Sequence, residues 1–410
     1  MHLLRRCQAL TVLLVMTMAL SLFGCSGSGE NATEAETTLS PVAPAQAVTP
    51  AQGGLLGDLD GDGAASVGDA IRILRIVVGL DPDDECADAN KNGTTDVGDA
   101  IKVLRCVVGL DDWPLGECGG GPIEGGYQFV TAWGSEGSGD GQFDNPMLVA
   151  VDAAGNVYVA DQRNHRVQKF TSTGIFITKW GSKGAGDGQF SYPSGVGVDA
   201  AGNVYVGDRL NNRVQKFTSD GTFITKWGSA GSGDGELSGP RGVAVGPGGD
   251  VYVVDHYNSR IQKFTSTGTF ITKWGSYGSG DGQFWNCFGV AVDADGNVYV
   301  AEEANHRIQK FTGNGTFITK WGSSGSDDGQ FNCPAGVAVD ADGNVYVVDV
   351  QNCRIQKFSG TGTFITKWGS QGSSVGQFSW PYGVVVAPDG SVYVGDTTNS
   401  RIQKFRPVAP

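Results

Sequence analysis

Oxygen-bearing side chains recur at one spacing in two stretches 30 residues apart, 58–69 and 88–99. The first puts Asp58, Asp60, Asp62, Ser66 and Asp69 at positions 1, 3, 5, 9 and 12 of a loop; the second puts Asp88, Asn90, Asn92, Asp96 and Asp99 there. Glycine holds position 6 in both, where the chain must turn sharply, and the carbonyls of Ala64 and Thr94 fall at position 7. Such a set supplies the roughly six to eight hard oxygens that calcium takes. One calcium ion per loop is the expected chemistry. Asn90 and Asn92 replace two carboxylates, so the second loop should bind more weakly. Residues 57–112 carry 13 acids against 5 bases, and so small an acidic core leaves metal binding to supply much of its folding free energy.

The elements that must hold these loops are short. Each loop runs into an apolar helix, 70–80 and 100–110, with little room for a helix before it. Position 12 is aspartate where EF-hand loops use glutamate. The duplicated loop-helix unit resembles the type I dockerin family across 57–112. That resemblance implies two bound calcium ions and a cohesin-like protein partner docking late in the loop and along the helix. Those positions are identical in the two copies: Val67 and Val97, Gly68 and Gly98, Leu74 and Leu104, Arg75 and Arg105. A recent duplication would leave the same identities, so a calcium-stiffened spacer is the alternative role.

Residues 1–24 read as a secretory signal: Arg5 and Arg6 precede an apolar run over 9–23, too short to span a bilayer. The run ends Leu22-Phe23-Gly24-Cys25, which resembles the lipobox of bacterial lipoproteins. The resemblance implies cleavage before Cys25, its lipidation, and a protein exported and anchored to the cell envelope. Residues 25–56 are small and polar, a disordered spacer between anchor and calcium module. Export permits disulfides, and three cysteines remain on each side of a second linker at 113–126: Cys86, Cys106 and Cys118, then Cys287, Cys333 and Cys353.

The rest of the chain is periodic. Trp133, Trp180, Trp227, Trp274, Trp321 and Trp368 stand 47 residues apart, and each interval holds four short strands separated by turn residues. In the second unit the strands are expected at 196–199, 203–208, 213–217 and 222–227. The recurring Gly-Val-Ala-Val-Asp, Gly-Asn-Val-Tyr-Val-Ala-Asp and Asn-x-Arg-Ile-Gln-Lys-Phe closely resemble the NHL repeat. The fold class expected is therefore all-β over 127–405, a six-bladed β-propeller with four antiparallel strands per blade. A small α-helical, dockerin-like domain precedes it and a tail, 406–410, follows. The sixth unit lacks a fourth strand while 127–134 is a fourth strand without predecessors, so the two ends should pair and bring Phe129 near Gln403.

Acid and arginine recur around one loop of each unit, Asp161 with Arg166 through Asp396 with Arg401, with Glu302 as the acid in the fourth. Ion pairs inside each blade are the expected role. Gly195, Gly242, Gly289, Gly336 and Gly383 should sit where strands crowd the axis. Loops after the second and fourth strands share one face, and there the units diverge in aromatics: Tyr192, His256, Tyr257, Tyr277, Trp285, Phe288, Trp380 and Tyr382. That face is the candidate surface for a protein, peptide or glycan ligand.

Net charge is −14, with 25 acids against 21 bases over 127–405, which argues against nucleic acid; the related tripartite-motif NHL proteins bind RNA on a basic face. The propeller also resembles peptide-amidating lyases, which hold zinc through three histidines. Here His165 and His306 lie three units apart and His256 occupies another loop position, so these cannot converge on one metal. A calcium-dependent hydrolase of the paraoxonase-like type stays open as the alternative to a non-enzymatic binding protein, with Glu302 and Glu303 the acids that break symmetry. The lyases' cysteine pair implies a Cys333–Cys353 disulfide; Cys287–Cys333 is the competing pairing.

Overall fold

The computed structural model describes Pro122–Ile123 and residues 126–408. The signal segment, Cys25, the spacer, both calcium loops with their helices, and Cys86, Cys106 and Cys118 lie outside the described residues.

Each 47-residue unit forms one antiparallel sheet, shown by blade 2: Pro193–Val198, Val204–Asp208, Arg213–Phe217 and Phe223–Trp227. The first strand begins earlier than expected because Pro193 already pairs with Asp208, across a bulge that ends at Val196. The second strands, such as Val204–Asp208, are buried at every position, since blades pack on both of their faces. Outer strands such as Phe223–Trp227 alternate half-buried with exposed, as an edge with one free face must. Between blades 1 and 2 the seal is made by Tyr158, Val167, Phe190, Val196, Val204 and Phe217.

Six such sheets close into a ring. Tyr127–Trp133 pairs with Arg401–Pro407 in the register Phe129↔Phe405 and Ala132↔Gln403, completing blade 6 from both ends of the propeller. Tyr127 stacks on Trp368 at 4.0 Å and shares a 2.9 Å hydroxyl–hydroxyl hydrogen bond with Tyr346. Pro122–Ile123 adds a fifth strand to that blade. The inner strands line the axis and crowd it: a Cβ on Gly242 would come 2.7 Å from the Phe288 carbonyl oxygen, and one on Gly383 2.5 Å from that of Met147. Side chains at those positions would push neighbouring inner strands apart.

Candidate ligand site

Within each blade the carboxylate at the end of the second strand is fully buried and bonded to the arginine that opens the third. Arg166 Nε lies 2.7 Å from Asp161, Arg260 Nε 2.6 Å from Asp255 and Arg307 Nε 2.6 Å from Glu302. The arginine's other nitrogens reach carbonyls of the loop arriving from the previous blade; Arg166 bonds Ser138, Gly139 and Gln142. The same acid accepts from that loop's backbone, as Asp144 N–H to Asp161 at 2.8 Å. Burial pushes the carboxyls of Asp161, Asp208 and Asp349 up, and the backbone and side-chain donors pull them back. The clamp is structural. It fixes where two loops per blade meet the axis.

At that meeting point the repeat stops repeating. The second residue of the inner strand is Met147, Ser194, Arg241, Phe288, Ala335 and Tyr382 in blades 1 to 6. The residue directly after the buried acid is Gln162, Arg209, His256, Glu303, Val350 and Thr397. No residue type recurs within either ring, while the acid before the second ring and the residues flanking the first are nearly constant. Most of these residues surround one mouth of the channel, where a cavity of about 200 Å³ is lined by Met147, Gln162, Ser194, Arg209, Arg241 and Tyr382, with Asn145 and Phe288. Beyond it the channel wall is apolar, with Val149, Val196, Val243, Val290, Val337 and Val384.

The chemistry of the mouth is set by two guanidiniums. Arg241 lies over the Phe288 ring at 4.4 Å, and Phe288 stacks on Tyr382 at 5.3 Å, so one face of the cation is held by aromatic carbon. Arg209 donates to the Tyr257 hydroxyl at 2.9 Å. Among the described residues neither arginine has a carboxylate within ion-pair distance, and Arg209 Nε, Arg241 Nε and the Ser194 hydroxyl are buried without a partner. Glu303 accepts from Asn286 Nδ2 at 2.6 Å. Burial raises its carboxyl to about 6, against the pull of Arg241 and Arg209. His256 is driven down to about 4, by burial first and by Arg241 second. Its Nδ1 sits 2.8 Å from the Cys287 carbonyl, which only accepts, so the neutral ring donates there.

The aromatics of the expected face divide in the structure. Phe288 is fully buried beneath Arg241, and His256 is buried against the Cys287 carbonyl, so neither is the exposed residue the sequence suggested. Tyr382 lines the cavity and Tyr257 reaches it through Arg209. Tyr192 packs edge-on against His165 at 4.8 Å, in a left-handed loop residue. Tyr277 and Trp285 pack together at 5.9 Å, both exposed, and Trp380 is exposed; none of these lines the cavity. Arg241, Arg209, Ser194, Met147 and Gln162 were missed by a search for aromatics. Their signal in the sequence is divergence between the six units, a signal that loop positions such as Arg163, Leu210, Tyr257, Ala304, Gln351 and Thr398 also carry.

His165 and His306 are loop residues whose Nδ1 accepts the backbone N–H of Tyr192 and Cys333, at 3.1 and 3.2 Å. Among the described residues no cluster of three or more His, Cys, Asp or Glu could hold a metal ion. The expected Cys333–Cys353 disulfide is not formed, and Cys287, Cys333 and Cys353 are free thiols. Cys353 packs into the core with Ile355, Trp368 and Phe378, whereas Cys333 Sγ accepts from Gln351 Nε2 at 3.2 Å on the face. Burial pushes the Cys287 thiol up, which makes it a poor nucleophile.

A closed ring of six four-stranded blades with a cationic pocket at one mouth defines a six-bladed β-propeller. The family model for the NHL repeat matches every blade, at residues 143–170, 190–217, 237–264, 284–311, 331–358 and 378–405. This is an NHL-repeat propeller. Among curated proteins, Protein lin-41 of Caenorhabditis elegans is 47% identical over 47 residues, which span 12% of this chain and 4% of that protein. Among solved structures, a Bacteroides thetaiotaomicron protein of unknown function superimposes with a TM-score of 0.53 at 18% identity, covering 68% of this chain and 75% of that one. A streptogramin B lyase reaches 0.49 at 16% identity, with 68% and 97% covered. A gluconolactonase from Xanthomonas campestris reaches 0.48 at 12%, with 65% and 87% covered. At these identities the likeness is one of fold.

Proposed function

We propose that the chain is a lipid-anchored binding protein of the bacterial cell envelope whose propeller takes its ligand at the polar mouth of the channel. The observation that carries this reading is that seven of the twelve residues in two non-repeating rings line one cavity, on a scaffold whose strands and clamps recur six times. Stability alone asks for one good residue copied six times, as at the Asp–Arg clamp. Asymmetry at the axis is what a single bound ligand requires. The 25–56 spacer and the dockerin-like module, loaded with calcium, would hold the propeller away from the membrane, with a cohesin-like protein as the module's own partner.

The test is capture of a ligand from the parent cell envelope by immobilised full-length protein, with and without chelator. A plugging variant at a residue that lines the cavity, Met147→Trp, is compared alongside. Capture that survives chelation and is lost on plugging supports the propeller mouth. Capture lost on chelation and indifferent to plugging assigns the binding to the calcium module instead.

A second reading, a lyase-like or hydrolytic enzyme, is favoured by one observation. Glu303 titrates near 6 beside two arginines, in the range where a carboxyl serves as a general acid or base. Turnover of an envelope ligand, abolished by Glu303→Gln with binding intact, would establish it.

A further inference from the structure

Resting on the assignment of the channel mouth as the ligand seat, we infer that the group bound there is a small monoanionic carboxylate, gripped between Arg209 of blade 2 and Arg241 of blade 3. The unmet donors come first. The Ser194 hydroxyl is buried and unpartnered, Ser194 itself being 1% exposed, and it lines the cavity together with both arginines. A buried donor left without an acceptor costs about 1–3 kcal/mol, so three in one cavity mark where an acceptor belongs. A guanidinium presents its donors in a planar fork that matches a carboxylate.

Charge chooses among anions. Arg209 and Arg241 bring two positive charges, Glu303 ionised above about pH 6 brings one negative, and His256 is neutral; at pH 7 the surplus is a single positive charge, which suits a monoanion better than a phosphate dianion. Size chooses too. About 200 Å³ is below the roughly 300–1,000 Å³ of pockets for drug-sized ligands, so the anion is small or is the acidic end of something larger. Asn145 and Gln162, bonded to each other at 2.8 Å on the blade 1 side, offer amide groups to a hydroxyl next to the carboxylate.

The probe is lactate, with lactamide as its neutral isostere and inorganic phosphate as the competing oxyanion. Each is titrated calorimetrically into full-length protein and into Arg241→Ala, Arg209→Ala and Ser194→Val, with thermal melts as a check on folding. Lactate should bind in the millimolar range and lactamide not detectably. Each arginine variant should weaken lactate by about tenfold or more, and Ser194→Val by less. Lactate binding unchanged in Arg209→Ala and Arg241→Ala, or no lactate binding to a folded protein, overturns the inference. So does tighter binding of phosphate than of lactate. Lactamide binding as well as lactate, and lost on plugging with Met147→Trp, would also overturn the anion assignment yet leave the mouth as a ligand seat. An envelope ligand whose capture ignores the plug would remove that seat as well.

Discussion

Six buried carboxylates do the same work in six places, and each is an ion pair whose partner cannot be removed cheaply. Asp255 is fully buried, with Arg260 Nε at 2.6 Å and Gln262 Nε2 at 3.0 Å. Arg260→Ala strands that charge, and the expected loss is about 3–5 kcal/mol in urea unfolding. Arg163 and Asp144 form an exposed pair 3.5 Å apart, and Arg163→Ala should cost about 1 kcal/mol or less. At the mouth, two neighbours titrate with opposite signs. His256 falls from 6.5 to about 4 on folding, so the unfolded chain takes up a proton first as pH drops, and the stability held above pH 6.5 is lost toward pH 4. Glu303 rises from 4.5 to about 6, so the folded chain holds the extra proton and gains stability across that window. Unfolding curves from pH 7 to 4 should show Glu303→Gln losing stability more steeply than wild type and His256→Asn less steeply. The same slope for all three proteins would contradict the assigned environments.

Strands carry the next level, and closure of blade 6 is the decisive element contact. Phe129 is buried and packs against Phe405 with ring centres 6.0 Å apart, across the join of the two ends. Phe129→Ala should cost about 3–5 kcal/mol, while Ile271→Ala on the exposed outer strand of blade 3 should change the urea midpoint little. This level was the most legible in the sequence. A strand's period, its turn residues and its acid–arginine clamp recur six times, and recurrence separates signal from accident. The missing fourth strand of the last unit and the orphan strand at 127–134 declared the closure. Legibility ended where recurrence ended. Phe288 and Trp285 are aromatics three residues apart, yet one is fully buried and the other half exposed, because Phe288 sits on the inner strand of blade 4 under Arg241 of blade 3 while Trp285 stays in the loop. The loops also hide their geometry. Asn145, Tyr192, Asn286, Cys333 and Trp380 all adopt the left-handed region at one equivalent position, and a glycine, Gly239, marks it in blade 3 alone.

On the scale of the whole molecule, chemistry is divided between segments. The proposed calcium loops, spacer and anchor belong to the residues before 113, and the described core clusters of the propeller draw on residues 127–405. Scanning calorimetry of the exported protein should therefore show two transitions. Chelation should abolish or lower the one assigned to the calcium module and leave the propeller transition within a degree or two. The propeller's repeated strands and clamps form one closed ring, on which seven side chains from two non-repeating rings are placed at one mouth.

The most direct test of that placement uses a chance of composition. The chain has four methionines, Met1, Met16, Met18 and Met147; the first three fall in the proposed signal segment, and Met147 lines the cavity. In exported protein labelled with ¹³C-methyl methionine, Met147 gives a single reporter at the proposed seat. Saturating lactate should shift or broaden that resonance in wild type and leave it still in Arg241→Ala. A resonance that stays fixed while calorimetry records lactate binding would put the ligand elsewhere and contradict the account.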